Sequence, residues 1–223
     1  MRGMVFALLV AAGSAAHASG PYVTDDAAIT PAGERQVETW LAFSGRGSFH
    51  AIVPAFTPRA LPFLEMSVAL DTGRLDGARE TGITLQGKAL LTPEAETPGR
   101  IAFAVAGGAR FADRDGDTEA FVIGMATLAA SPSTLLHGNL GWSRFVTARD
   151  DGLTWAFRLE QALAPDRLSL HAELFGSGLD RPGAQLGLRP TLASGAIDFE
   201  LVVGRNLFGE RATWGLIGAA FRF

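Results

Sequence analysis

The sequence has no cysteine. That excludes a disulfide framework and any thiolate metal site. Its few histidines show no metal-ligand spacing, so no metal site and no cofactor is expected. It also lacks a surplus of positive charge. Nineteen Lys and Arg stand against 23 Asp and Glu, a net of −4, which argues against a nucleic-acid partner. After residue 18 there is no apolar run approaching the ~18–20 residues that a membrane-spanning helix needs. Yet 48% of the residues are hydrophobic and mean hydropathy is positive.

The leader reconciles some of these features. Arg2 forms a short positive region, Met4–Ala12 an apolar run too short to span a bilayer, and Ala16-His17-Ala18 a small-x-small cleavage site. Residues 1–18 read as a signal peptide, with the exported chain starting at Ser19. Removing Arg2 makes that chain one unit more negative. In lipid, only helices and closed barrels satisfy the backbone polar groups. A hydrophobic exported chain without helical spans therefore points to a barrel.

Residues 19–33 carry Pro21, Asp25, Asp26, Pro31 and Gly33 and read as an irregular periplasmic lead-in. Over residues 34–223, apolar-polar alternation recurs in segments of roughly 9–13 residues closed by turn residues. Twelve can be counted: about Glu34–Ser44, Ser48–Phe56, Pro62–Asp71, Thr81–Leu91, Arg100–Ala109, Thr118–Leu128, Leu135–Phe145, Leu153–Ala162, Leu168–Gly176, Gln185–Pro190, Ile197–Arg205 and Ala212–Phe223. The fold class is thus all-β, an antiparallel transmembrane barrel of about twelve strands in the bacterial outer membrane. A soluble two-sheet sandwich would also alternate, but it would not need twelve strands in this length. A soluble ligand-binding barrel would reverse the polarity of the two faces.

Period-two reading assigns the faces. Val37, Thr39, Leu41 and Phe43 go to lipid, while Gln36, Glu38 and Trp40 go to the lumen. Leu64, Met66, Val68 and Leu70 oppose Glu65, Ser67 and Asp71, and Leu85 and Ala89 oppose Thr84 and Lys88. Two segments resist. Pro54 lies in the second, and Phe121–Met125 in the sixth is apolar on both faces. The last strand ends in Phe221-Arg222-Phe223, an aromatic terminus resembling the signal by which barrels are recognised for assembly, so the barrel-assembly machinery is an expected partner. With the first strand leaving the periplasm, Trp142 and Trp155 fall at the outer rim and Phe221 and Phe223 at the inner rim, as an aromatic girdle requires. The charged stretches Asp71–Glu80, Asp113–Asp117, Arg149–Asp151 and Asp180-Arg181 then read as outer loops. None is long enough to suggest a plug.

The candidate site is the set of inward charges: Glu38, Glu65, Lys88, Arg158, Glu160, His171, Glu173, Arg189, Asp198, Glu200 and Arg222. Such charges can line a water-filled path and set its selectivity. They can equally pair into bridges that brace a closed barrel, and the pattern alone leaves both open. Asp113–Asp117 has the alternating acids of a calcium loop but no bidentate acid at the closing position, where Gly124 stands, so a tight acidic turn is the expectation. Ser48 and His50 share a face and raise a hydrolase reading. No orienting acid is identifiable beside them, and no catalytic residue is assigned.

Several short motifs resemble one family. Val23-Thr24-Asp25-Asp26, Leu64-Glu65-Met66, Gln86-Gly87-Lys88, Ala164–Leu168 leading to Glu173–Gly176, Gln185–Arg189 and the Arg222-Phe223 end are similar to outer-membrane proteins grouped under the meta-pathway of phenol degradation. That resemblance implies a barrel passing small, often aromatic or apolar, solutes. The short outer loops and Pro190 depart from the family pattern.

Overall fold

In a computed structural model of the chain, residues 21–113, 118–178, 182–208 and 212–223 are described. The leader, Arg114–Asp117 of the acidic turn and Asp180-Arg181 lie outside the described residues. Twelve antiparallel strands close on themselves: β1 (Arg35–Ser44), β2 (Gly47–Phe56), β3 (Leu64–Leu75), β4 (Ala78–Leu90), β5 (Ile101–Ala112), β6 (Thr118–Ser131), β7 (Thr134–Phe145), β8 (Asp150–Ala164), β9 (Leu168–Ser177), β10 (Gly183–Leu192), β11 (Ile197–Asn206) and β12 (Thr213–Arg222). Each strand pairs with its sequence neighbours. β12 closes the ring on β1, from Gln36↔Arg222 to Ser44↔Trp214. Closure leaves no open edge, which is what lets a sheet sit in hydrocarbon. No described helix is long and apolar enough to cross a membrane.

The alternation has the faces expected of it. Leu85, Leu140, Phe157, Leu186 and Val203 are each more than half exposed on the outside. Their strand neighbours Thr84, Asn139, Arg158, Gln185 and Val202 are buried within. A belt of this kind is far larger than a soluble surface tolerates and matches a lipid annulus. β6, undecided by pattern, turns Glu119, Phe121, Met125 and Thr127 inward and Val122 outward. Trp142, Phe221 and Phe223 are exposed on the outer surface. Trp155 is half-buried, its indole donating to the Gly178 carbonyl (2.8 Å).

Proline is accommodated by gaps in the ladder. β2 pairs with β3 from Gly47↔Leu75 to Ile52↔Leu70 and resumes at Ala55↔Ser67, skipping Val53 and Pro54. β10 likewise skips Arg189 and Pro190 against β11. Each gap falls where the missing proline N–H would have donated.

Two sequence expectations need correction. Asp71–Glu80 is not an outer loop: β3 and β4 run on until only Asp76-Gly77 remains as the turn, with φ of 49° and 86°. Asp-Gly is a favoured two-residue hairpin turn, because both positions take positive φ. Asp71 and Glu80 consequently stand on strands and face inward, both buried. The described part of the lead-in, residues 21–33, does not lie outside the barrel. Tyr22, Thr24, Asp25, Ala27, Ile29 and Thr30 are buried inside it. The chain leaves the lumen at Gly33, whose φ of +89° makes the bend into β1 and whose N–H donates to Thr57 O (2.8 Å).

The wall is shaped for this occupant. β5 turns Ala102, Ala104 and Ala106 inward, and Ala27 packs on them with Met125. Tyr22 packs with Trp40, Val202 and Leu216. The lumen therefore has a core of its own, made where wall and plug meet.

Candidate functional site

The polar grip on residues 21–30 runs along the plug. The Glu173 carboxylate accepts the N–H groups of Val23 (3.2 Å) and Thr24, and also the Gln185 amide. Lys88 Nζ lies 3.0 Å from Asp25 and 3.6 Å from Asp26. Arg158 lies 3.7 Å from Asp26. Burial opposes the charge of Asp26, but Lys88 and Arg158 outweigh it and hold its carboxyl below the ordinary carboxylate range. Asn139 brackets the Asp25 backbone, donating to its carbonyl (2.9 Å) and accepting its N–H (2.7 Å). Ala27 N–H donates to Thr127 Oγ1 (2.9 Å). Thr30 donates to Glu65 from both its N–H (2.8 Å) and its hydroxyl (2.6 Å). Carboxylates on the wall thus take up backbone donors that an extended segment inside a barrel would otherwise leave unpaired.

Around Tyr22 the wall is cationic and aromatic. The Tyr22 ring stacks on His171, centroids 4.8 Å apart and planes at 24°. Arg158 and Arg189 stand over it at 4.9 and 5.6 Å. A Cβ at residue 187 would lie 2.2 Å from the Tyr22 hydroxyl oxygen, so Gly187 is what leaves room for the ring. Arg189 pairs with Glu200 and approaches Glu160 (3.6 Å). Glu160 also faces His137 (3.6 Å) and His171 (3.7 Å).

Both mouths are bridged. Toward the turn side, Arg110 binds Asp71 through Nε (3.2 Å) and Nη2 (2.8 Å) and Glu80 through Nη2 (2.8 Å), with Glu119 in register across the β5–β6 pair. At the end holding both barrel termini, Arg222 binds Asp198 (2.7 Å) and the Gly195 carbonyl (2.8 Å). Beside the plug at this end a cavity of about 160 Å³ remains, lined in part by Glu38, Glu65, Lys88 and Glu200.

All eleven inward charges named from sequence sit on the inner wall. Glu38, Glu65, Lys88, Arg158, His171, Glu173, Asp198 and Glu200 are buried, Glu160 and Arg189 half-buried, and Arg222 exposed in the mouth. They do not border an open aqueous path in this state, because the plug occupies it. Sequence reasoning turned Asp71 inward but left it out of the candidate set, and it missed Arg110, Glu80 and Glu119 at the same mouth and Tyr22, Asp25 and Asp26 from the plug. Ser48 and His50 are exposed on the outer face, where His50 meets Thr39 (3.1 Å). Asp113 accepts from Thr81 N–H (2.8 Å) and its hydroxyl (2.5 Å), and no metal-holding cluster occurs among the described residues.

The fold recurs in solved structures at very low sequence identity. The KdgM porin in complex with disordered oligogalacturonate matches over 84% of this chain and 99% of its own, at 8% identity and a TM-score of 0.64. The NanC porin matches over 84% and 98%, at 8% identity and 0.61. The outer-membrane protein Omp33 of Acinetobacter baumannii matches over 85% and 98%, at 11% identity and 0.51. A search of curated proteins gives no match. At the level of sequence, the family model described as uncharacterised conserved protein UCP029691 matches residues 5–223, and the chain belongs to that family.

Proposed function

We propose that the protein is an outer-membrane channel for small solutes, held shut in this state by residues 21–33. The observation that carries the reading is that the plug is separable from the barrel. Every strand has both its ladder partners without the plug. The plug is held by side chains of the wall: Glu173, Lys88, Thr127 and Glu65. Its departure costs no strand pairing and uncovers a lumen lined with charges of both signs, the chemistry of a selective aqueous path. Cleavage after Ala18 fits this arrangement, since it leaves the plug tethered to the barrel through Gly33. The aromatic end of β12 fits recognition by the barrel-assembly machinery.

A second reading is a structural barrel with a permanently bridged lumen. The Arg110–Asp71–Glu80 cluster favours it, because it ties β3, β4 and β5 together whether or not the plug is present. Planar-bilayer recordings of the refolded full chain separate the two. Asp25→Asn with Asp26→Asn should turn a mostly silent protein into one with long open events. A folded double variant with its plug demonstrably displaced and no current would leave the structural barrel standing.

A further inference from the structure

The plug fills its berth without satisfying it. Arg158 is completely buried, yet among the described residues none of its three guanidinium nitrogens has a hydrogen-bond partner. Its charge is met by Asp26 at 3.7 Å, beyond hydrogen-bond length, by Glu173 opposite it on β9 without a hydrogen bond, and by the Tyr22 face at 4.9 Å. A buried guanidinium with five unmet donors is costly, and a well-placed carboxylate removes that cost through paired charge-assisted bonds. The neighbouring berth has the shape and chemistry of an aromatic slot, with His171 stacked on one ring, two guanidinium groups over it and Gly187 leaving room at its tip. Ring and carboxylate converge on the same side chain, Arg158, so one small molecule can supply both.

We infer that the berth of Tyr22 and Asp26 is a solute-recognition site for a small aromatic carboxylate, which competes with the plug and is the class of solute that opens the lumen. The inference rests on the channel reading for its consequence, but not for its chemistry. The plug is then a built-in surrogate, with Tyr22 standing for the ring and Asp26 for the carboxylate. Its poor fit to Arg158 is what allows a better ligand to displace it. The exchange takes two carboxylates, Asp25 and Asp26, out of the lumen and returns one, which leaves Lys88 facing Glu65 across the β3–β4 pair.

The test uses the full chain in detergent, with 4-hydroxyphenylacetate as probe and calorimetric binding as readout. p-Cresol carries the ring without the carboxylate, and galacturonate carries a carboxylate without an aromatic ring. Tyr22→Ser weakens the competitor and should tighten 4-hydroxyphenylacetate by roughly tenfold or more. Arg158→Gln should weaken it by roughly ten- to a hundredfold, the range expected for a lost charge-assisted bond. In the Tyr22→Ser chain, where the competing ring is already gone, Gly187→Ala intrudes on the slot and should weaken the probe while leaving the heat-modifiable gel shift of the folded barrel intact, which covers the case in which Arg158→Gln does not fold. Both control compounds should bind at least about tenfold more weakly than the probe. No binding to the Tyr22→Ser chain, or equal affinity for galacturonate, overturns the inference. Binding without conductance would sink the channel and keep the site. Conductance without binding would do the reverse.

Discussion

Replacing Lys88 by glutamate should empty the lumen of residues 21–33 without dismantling the barrel. Lys88 is buried and sits 3.0 Å from Asp25 and 3.6 Å from Asp26. It also faces Glu65 across the β3–β4 pair. Removing one partner of a buried pair typically costs about 3–5 kcal/mol. Here that cost falls on the docked state of the plug, because an undocked plug leaves Asp25 and Asp26 in water. At 1.4 kcal/mol per decade, the ratio of docked to undocked chain falls by roughly 150- to 4,000-fold. If the new carboxyl takes up a proton instead of repelling, the lost attraction still acts in the same direction. The chain has no cysteine, so a single Ala27→Cys substitution reports the plug cleanly. Ala27 is fully buried against β5, and a thiol introduced there should resist a maleimide for as long as the plug is docked. With Lys88→Glu that thiol should label at nearly the rate of an unfolded control, while the gel shift of the folded barrel persists and conductance appears. A folded Lys88→Glu chain whose introduced thiol stays protected would refute the argument that these ion pairs hold the plug. Loss of the folded barrel itself would mean that Lys88 braces the wall.

The purified protein should show a strand-dominated far-UV spectrum in detergent and migrate differently in gels before and after boiling; a helix-rich spectrum would contradict the barrel. Leu201→Arg, on the outer face in the middle of β11, should cost about 2–4 kcal/mol in a refolding titration if it lies near the bilayer midplane, whereas inward Val202→Thr should cost far less. Arg110→Met leaves Asp71 and Glu80 buried without their cation and should cost about 3–5 kcal/mol in urea, with most of the loss recovered when Asp71→Leu and Glu80→Met are added. Because burial is outweighed by Lys88 and Arg158 and the Asp26 carboxyl is held low, the docked plug binds its proton less readily than the free one. Docking is then at full strength above the ordinary Asp value of about 3.9 and weakens as pH falls through the depressed value. Labelling of the Ala27→Cys reporter, taken relative to an unfolded control at the same pH, should therefore rise in acid, and a fall would reverse the sign.

Much of the barrel was legible because its two solvents impose a strict period. Along β11, Phe199, Leu201 and Val203 go outward, while Asp198 and Glu200 go inward, and no other assignment satisfies both lipid and lumen. Strand ends were less legible, for a related reason. Asp71 reads as the inward end of its strand, but the charged stretch from there through Glu80 flanks Asp76-Gly77, and charge near a turn reads as loop. In a barrel with a polar interior the alternation carries on through such charges, so Asp-Gly marked the turn better than the charges did. β6 failed the pattern because its inward positions include Phe121 and Met125, which pack inside and not against water.

The plug was illegible for a deeper reason. Residues 21–33 have the proline, aspartate and glycine of a segment with no ladder, and such a segment looks the same whether bulk water or a polar wall solvates it. Length arguments about loops could not find it either, since it enters from the amino-terminal side and not through a hairpin. One signal did exist. Lys88, near the end of β4, and Arg158, in the middle of β8, were both assigned inward in a narrow lumen that excludes most water, and a buried cation needs an anion. The wall acids are largely engaged elsewhere: Glu173 takes plug backbone and Gln185, Glu65 takes Thr30, and Glu200 takes Arg189. Asp25 and Asp26 are adjacent acids in a stretch with no other assignment. Pairing them with Lys88 and Arg158 requires only that the lead-in turn back into the barrel at Gly33. The same reasoning marks the flaw in the fit, because Asp26 serves Lys88 and Arg158 at 3.6 and 3.7 Å and reaches neither at hydrogen-bond distance. A segment that met every demand of the wall would be a permanent core. One that leaves a buried guanidinium unbonded is poised to be exchanged.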